Sequence, residues 1–297
     1  MAFPRNARVK KALVGVLGLV LFLGSAVLVS NDRIKIERTG SSYPEVASLA
    51  ERPLKDFEAY RRYFEELART KGAPYASEVL RRTPVPPGTD THLLAHYVGY
   101  ILYEQKGIAG IADCTQDFRN ACSHSMVISA FIEHGDAALP DIARTCEQAP
   151  GGRGAYAMCY HGLGHGILAY LKYDLEKAIP ICIAAVNAGN PTTSGLPRVL
   201  AGQRSSYARH ECIGGAVMEM VDGVHDRDAW AKAKPRYLPP DDPLMPCDAG
   251  FMPEDARPLC YTYLSKRFFE VAGIPDFVGI PPVSAVRQVF SLCNLIP

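Results

Sequence analysis

Nine cysteines, all beyond residue 113, constrain this 297-residue chain more than any other feature. They recur at matched places in a degenerate repeat. From Asp90 onward, five helix-like stretches open on a small cluster of His, Cys or both: "DTHLLAHYVGYILY" at 90, "ACSHSMVISAFIEHG" at 121, "MCYHGLGHGILAYLKYD" at 158, "HECIGGAVMEMVDG" at 210 and "LCYTYLSKRFFEVAG" at 259. The helix that follows tends to close on a cysteine: "GIAGIADC" at Cys114, "LPDIARTC" at Cys146, "LEKAIPIC" at Cys182 and "AVRQVFSLC" at Cys293. Helical hairpins repeated in this way bury each other's faces. The expected fold is therefore all-α, an α-solenoid or α/α ring of disulfide-tied hairpins over residues 84–297.

The order of the elements also favours one pairing among the many that nine cysteines allow. The cysteine closing one unit lies shortly before the cysteine opening the next. This pairs Cys114 with Cys122, Cys146 with Cys159, and Cys182 with Cys212. Cys247 with Cys260 is the fourth bridge, and Cys293 is left over. So many cysteines belong to an oxidising compartment rather than the cytosol.

The N-terminus agrees with export. Residues 1–11, "MAFPRNARVKK", carry four basic groups and no acid, and form a cytoplasmic tail. Residues 12–30, "ALVGVLGLVLFLGSAVLVS", carry no charge and are long enough to cross a bilayer. Basic residues ahead of the segment place the N-terminus in the cytoplasm and the rest of the chain outside it. A signal peptide cleaved near Gly24-Ser25-Ala26 is the rival reading. The apolar run continues through Val27, Leu28 and Val29, which favours an uncleaved anchor. The expectation is a single-pass inner-membrane protein with its C-terminal domain outside the cytoplasm.

Residues 31–83 read as a helical stalk or docking region. Within "LKDFEAYRRYFEELARTKG" (54–72), Leu54, Phe57, Tyr60, Phe64 and Leu67 fall near helical spacing, and Gly72 is a natural stop. The prolines of "RRTPVPPGTD" (81–90) mark a boundary. Residues 223–258 depart from the repeat, being proline-rich and holding the single tryptophan, Trp230. A long structureless insertion is either functional or mobile, and here it is expected to be a lid over a cavity.

"CYHGLGHG" (159–166) puts three glycines in a stretch that should be helical, each costing roughly 1 kcal/mol against alanine. On a helix, Gly162, Gly166 and Ala169 form a small stripe that lets a neighbouring backbone come close. His161 and His165 stack one turn apart on an adjacent face. His92 and His96 repeat that spacing at the equivalent positions, and His124 matches the first of each pair. His210 lies within a turn of the equivalent place. Imidazoles at i and i+4 can chelate one ion, and zinc, copper and iron all accept them. The candidate metal ligands are thus His92, His96, His124, His161, His165 and His210. The structural alternative is that these histidines cap or hydrogen-bond the hairpin junctions.

Other features carry less. Glu211 is either a base beside a metal-bound water or, more plainly, an exposed surface glutamate. "DGVHDRD" (222–228) lacks the spacing of a calcium loop and reads as solvated polar residues. No haem attachment, nucleophile elbow, phosphate loop or dinucleotide fingerprint is present. With a formal net charge of +1, the chain offers nothing for nucleic acid.

The "CYHG" element resembles the "CHG"-type zinc element at inner helix starts of lanthionine-cyclase-like α/α toroids. It has one extra residue between Cys and His, and the tryptophan–cysteine element is absent. The resemblance covers these few residues and implies a ring with a metal at helix N-termini.

Three functions follow. The Trp230 loop suggests an apolar ligand gated into the ring's cavity. The other two are a membrane-anchored metalloprotein, catalytic or not, and a helical scaffold that presents its repeat surface to a protein partner. The direction of the histidines separates them, since convergence favours a metal and dispersal along the junctions favours the scaffold.

Overall fold

The computed structural model describes residues 43–188, 198–274 and 282–297, and the expected membrane segment at 12–30 lies outside them. Among the described residues every regular element is helical, and no helix is long and apolar enough to cross a membrane. The helices are α1 (Pro44–Glu51), α2 (Phe57–Lys71), α3 (Ala73–Arg82), α4 (Thr91–Lys106), α5 (Asp117–His134) and α6 (Leu139–Gln148). They continue as α7 (Gly152–Tyr170), α8 (Leu175–Ala188), α9 (Arg198–Asp222), α10 (Arg227–Tyr237), α11 (Arg257–Val271) and α12 (Val283–Cys293). Short 3-10 turns occupy Gly107–Asp113, Gly135–Ala138 and Glu254–Ala256. Ser48–Pro297 form one compact unit.

The first helix of that unit whose start and stop are both legible is α2. Asp56 caps it by accepting from Ala59 N at 2.8 Å, and Gly72, at φ +91°, stops it. It buries Tyr60, Phe64 and Leu67 of the expected stripe, whereas Leu54 lies ahead of the helix and Phe57 is half-buried. Both α2 and α3 pack against α4.

The helices that open on His or Cys, α4, α5, α7, α9 and α11, pack on one another in chain order. All four expected disulfides form: Cys114–Cys122, Cys146–Cys159, Cys182–Cys212 and Cys247–Cys260, with Cys293 free. Each joins the segment before an opening helix to that helix. Cys159 is therefore closed to metal as a thiolate.

Helix α7 runs through the centre, with every residue from Cys159 to Ala169 buried. A helix covered on all sides needs small residues where neighbours cross it, which accounts for the glycines. A Cβ at Gly162 would lie 2.5 Å from His124 Cα, and one at Gly166 would lie 3.0 Å from Ile128 Cα, both on α5. On the other side, a Cβ at Gly164 would meet the Cys212 carbonyl oxygen at 1.9 Å. Gly215 of α9 answers it, its Cβ position being 1.9 Å from the His161 oxygen. Backbone contact on both flanks offsets the helix cost of these residues.

The segment 223–258 is not the structureless lid expected of it. It contains α10, and Cys247 ties it to α11. Trp230 is fixed, donating from Nε1 to the Met220 carbonyl at 2.7 Å and lying against Gly223. Pro235 lies inside α10 and Pro258 in the first turn of α11, and the remaining prolines fall in the turns and extended stretches between.

Candidate metal centre

Close packing of α4, α5, α7 and α9 brings six histidines into one cluster. Ring centroids are 4.7 Å apart for His92–His96, 5.0 Å for His161–His165 and 5.3 Å for His124–His161. His225, just beyond α9, completes it at 6.0 Å from His165. Two sets of three side chains place ligand atoms within 4.8 Å of one another: His92, His96 and His124, and His165, Glu219 and His225.

The partners of each Nδ1 decide what each Nε2 can do. His92 Nδ1 lies 2.5 Å from the Phe118 carbonyl, which can only accept, so this nitrogen carries the proton. His96 Nδ1 lies 3.0 Å from Ser125 Oγ. The Ser125 hydroxyl has the carbonyls of His96 and Ala121 at 2.9 and 3.0 Å, so its proton goes to them and it accepts from His96. Both Nε2 atoms of the pair therefore present lone pairs, and they face each other at 3.2 Å.

The second pair repeats the arrangement with carboxylates. His165 Nδ1 donates to Glu219 Oε2 at 2.9 Å, and His161 Nδ1 faces Glu211 Oε2 at 3.4 Å. The two Nε2 atoms again stand 3.2 Å apart. The carboxylate on His165 Nδ1 fixes the tautomer that leaves its Nε2 free to ligate, whereas His161 Nδ1 is buried without a hydrogen bond. His124, fully buried between the pairs, has no hydrogen-bond partner on either nitrogen.

Burial governs the protonation of the cluster. Desolvation pushes His96 and His124 well below the ordinary histidine range and lowers His92 and His165 as well. Glu219 has no exposure, yet its carboxyl is held below the usual glutamate range by the His225 and His165 imidazoles against the desolvation that would raise it. It accepts from four donors: His165 Nδ1, His225 Nδ1 at 2.7 Å, the His225 backbone N–H at 3.1 Å and the Tyr173 hydroxyl at 2.5 Å. His225 Nε2 in turn accepts from the Tyr100 hydroxyl at 2.7 Å.

The first turn of α5 is bent to serve this site. Phe118, Arg119 and Asn120 all have φ between +52° and +63°, and the regular helix begins at Ala121. Left-handed non-glycine residues cost on the order of 1 kcal/mol or more each. The Cys114–Cys122 bridge closes the loop around them, and the bend is what turns the Phe118 carbonyl onto His92. A cavity of about 410 Å³ opens onto His92, His96, His165 and His225.

Of the six ligands expected from sequence, five converge and His210 does not. Its Nε2 lies 3.2 Å from Asp255 Oδ2, and it belongs to neither set. On α9 the cluster is reached instead by Glu211 and Glu219, eight residues apart on one face. Glu211 is buried, 4% exposed, and accepts from Tyr263 at 2.9 Å, which corrects its reading as a surface glutamate. The "DGVHDRD" loop is corrected too, because His225 points inward from it. Neither Glu219 nor His225 carried a sequence signal, since their register depends on how α9 crosses α7. No family model, curated protein or solved structure matches the chain.

Proposed function

We propose that this protein is a metalloprotein, anchored by residues 12–30 with residues 84–297 outside the cytoplasm, that holds transition metal between its paired histidines. His92 and His96 with His124 form one site, and His161 and His165 on the far side of His124 form the other. The observation that carries this reading is the lone-pair convergence at 3.2 Å between His92 and His96, a spacing that His161 and His165 repeat. Two facing lone pairs in a buried place repel unless a cation lies between them. Two nitrogens bound tetrahedrally at the usual zinc distance stand about 3.3 Å apart, so the pairs are already spaced for an ion. His124, buried and unpartnered, supplies the third donor.

Three imidazoles, with no protein sulfur, suit zinc, copper or iron. The adjoining cavity is what a catalytic site needs, whereas a structural site is closed. Such an ion supplies an activated water or a redox centre. Around it this chain's own groups hold the ligand tautomers and exclude bulk water. The five opening helices, packed in chain order, are read as successive units of a repeat, solenoid or ring. The four disulfides support an oxidising location.

Elemental mass spectrometry on the full chain, purified without a histidine tag from an oxidising compartment, tests the reading. At least one equivalent of zinc, copper or iron per chain is expected. His161→Ala combined with His165→Ala removes the ion of that pair while thiol titration still finds four bridges. Failure to retain metal after it is offered and the excess removed overturns the proposal.

A further inference from the structure

The cavity beside the histidines has a charge pattern that the metal reading does not use. Its wall carries Arg119, Arg227, Lys234, Lys266 and Arg267 against Asp90, Asp222 and Glu270, a net of +2. Two of the cations are neutralised locally, Lys266 by Asp222 at 2.5 Å and Lys234 by Glu270 at 2.6 Å. Asp90 is committed as the cap of α4, accepting from Leu93 N at 2.9 Å. The three guanidinium groups remain without a carboxylate partner among the described residues.

Arg119 is fixed at its backbone, and Arg227 and Arg267 through their side chains. Arg119 sits in the left-handed triplet beside Phe118, whose carbonyl orients His92. Arg227 lies 5.1 Å from the centroid of the fixed Trp230 ring and donates to the Asp222 carbonyl at 3.3 Å. Arg267 is only 3% exposed; one nitrogen donates to the Pro239 carbonyl, while Nε and Nη1 have no partner. A buried, incompletely paired guanidinium is costly by itself and adds positive potential to the cavity it lines.

We infer that the cavity binds a small dianion of the phosphomonoester class, with its phosphoryl group on Arg119 and Arg227, in the field of Arg267, and the remainder of the molecule directed at the histidine cluster. Planar guanidinium forks match phosphoryl oxygens, and a net of +2 matches a dianion better than a monocarboxylate. This rests on the metal reading for what would then be done to the substrate, and not for the binding itself.

Inorganic phosphate and acetate are the probes, titrated by calorimetry into the full chain, once as purified and once after treatment with chelator. Phosphate is expected to bind in both forms, more tightly than acetate, and more weakly as salt is raised. Arg119→Gln and Arg227→Gln, both at exposed positions, should each weaken phosphate at least tenfold without changing metal content. Arg119→Lys should restore only part of the loss. Phosphate affinity unchanged in both glutamine variants overturns the inference, as does acetate binding as tightly as phosphate or no phosphate binding at all. If no variant or wild type retains metal, the metal reading fails while the phosphate comparison still decides this one.

Discussion

His124 separates a metal centre from a merely buried histidine cluster. Both of its nitrogens are buried without a hydrogen bond, and an unmet polar group in the interior costs roughly 1–3 kcal/mol. Without metal, then, the side chain is a liability, and with metal it is a ligand. His124→Leu should leave the metal-free protein as stable as the wild type or more so, by up to about 2 kcal/mol in chemical denaturation. The same variant should lose the rise in melting temperature that metal gives the wild type. A metal-dependent rise that survives in His124→Leu would remove this residue from the ligand set. The histidine pairs were legible because both partners lie on one helix, where four-residue spacing fixes their relation. Glu219 and His225 were not, because their place depends on another helix.

Among the elements, α7 and α9 touch backbone to backbone through Gly164 and Gly215. Alanine at either position would put a methyl 1.9 Å from a carbonyl oxygen, which no side-chain rotation relieves. Gly215→Ala should therefore cost about 3 kcal/mol or more, at the upper end of overpacking effects, and should disturb His161, whose carbonyl it strikes. Gly154→Ala in the exposed first turn of α7 is the control. Nothing lies within 4 Å of its added methyl, so helix propensity alone should make it neutral or up to about 1 kcal/mol stabilising. Equal effects of the two substitutions on urea midpoints would show that α7 and α9 do not meet as described. The sequence pointed to a small stripe at Gly162 and Gly166 and to a close neighbour. The second contact, through Gly164, needed the crossing of α9 to be seen.

At the scale of the whole molecule, the buried histidines set how stability responds to pH. In the metal-free protein His92, His96, His124 and His165 have folded-state affinities for protons below those of the unfolded chain, whose histidines titrate near 6.5. Below that pH the unfolded state binds more protons, so stability falls as pH falls; above it the contribution is fully present. Each histidine adds about 1.4 kcal/mol per pH unit in that window, until its own folded pKa is reached. Lowered Glu211 and Glu219 act in the same direction below about 4.5. Denaturation midpoints of the metal-free protein should be flat from pH 7 to 8 and fall steeply from 6.5 to 5. Stability that stays unchanged from pH 6.5 to 5 would mean that these imidazoles are solvated, and a rise toward pH 5 that they are held charged in the folded state.

What the sequence by itself determined were the properties that neighbours along the chain can express: an all-helical domain, the four bridges between consecutive hairpins, and two histidine pairs one turn apart. Each depends on local periodicity or on the order of elements, so each is written into short stretches. What only the tertiary structure decided was which groups from different helices meet. It set His124 between the pairs and brought Glu211, Glu219 and His225 inward. It left His210 on Asp255, and it gathered unpaired arginines from α5, α10 and α11 around one cavity. Those choices follow from the angle and closeness at which helices cross, and a glycine shows that a close approach exists without naming the residue on the other side.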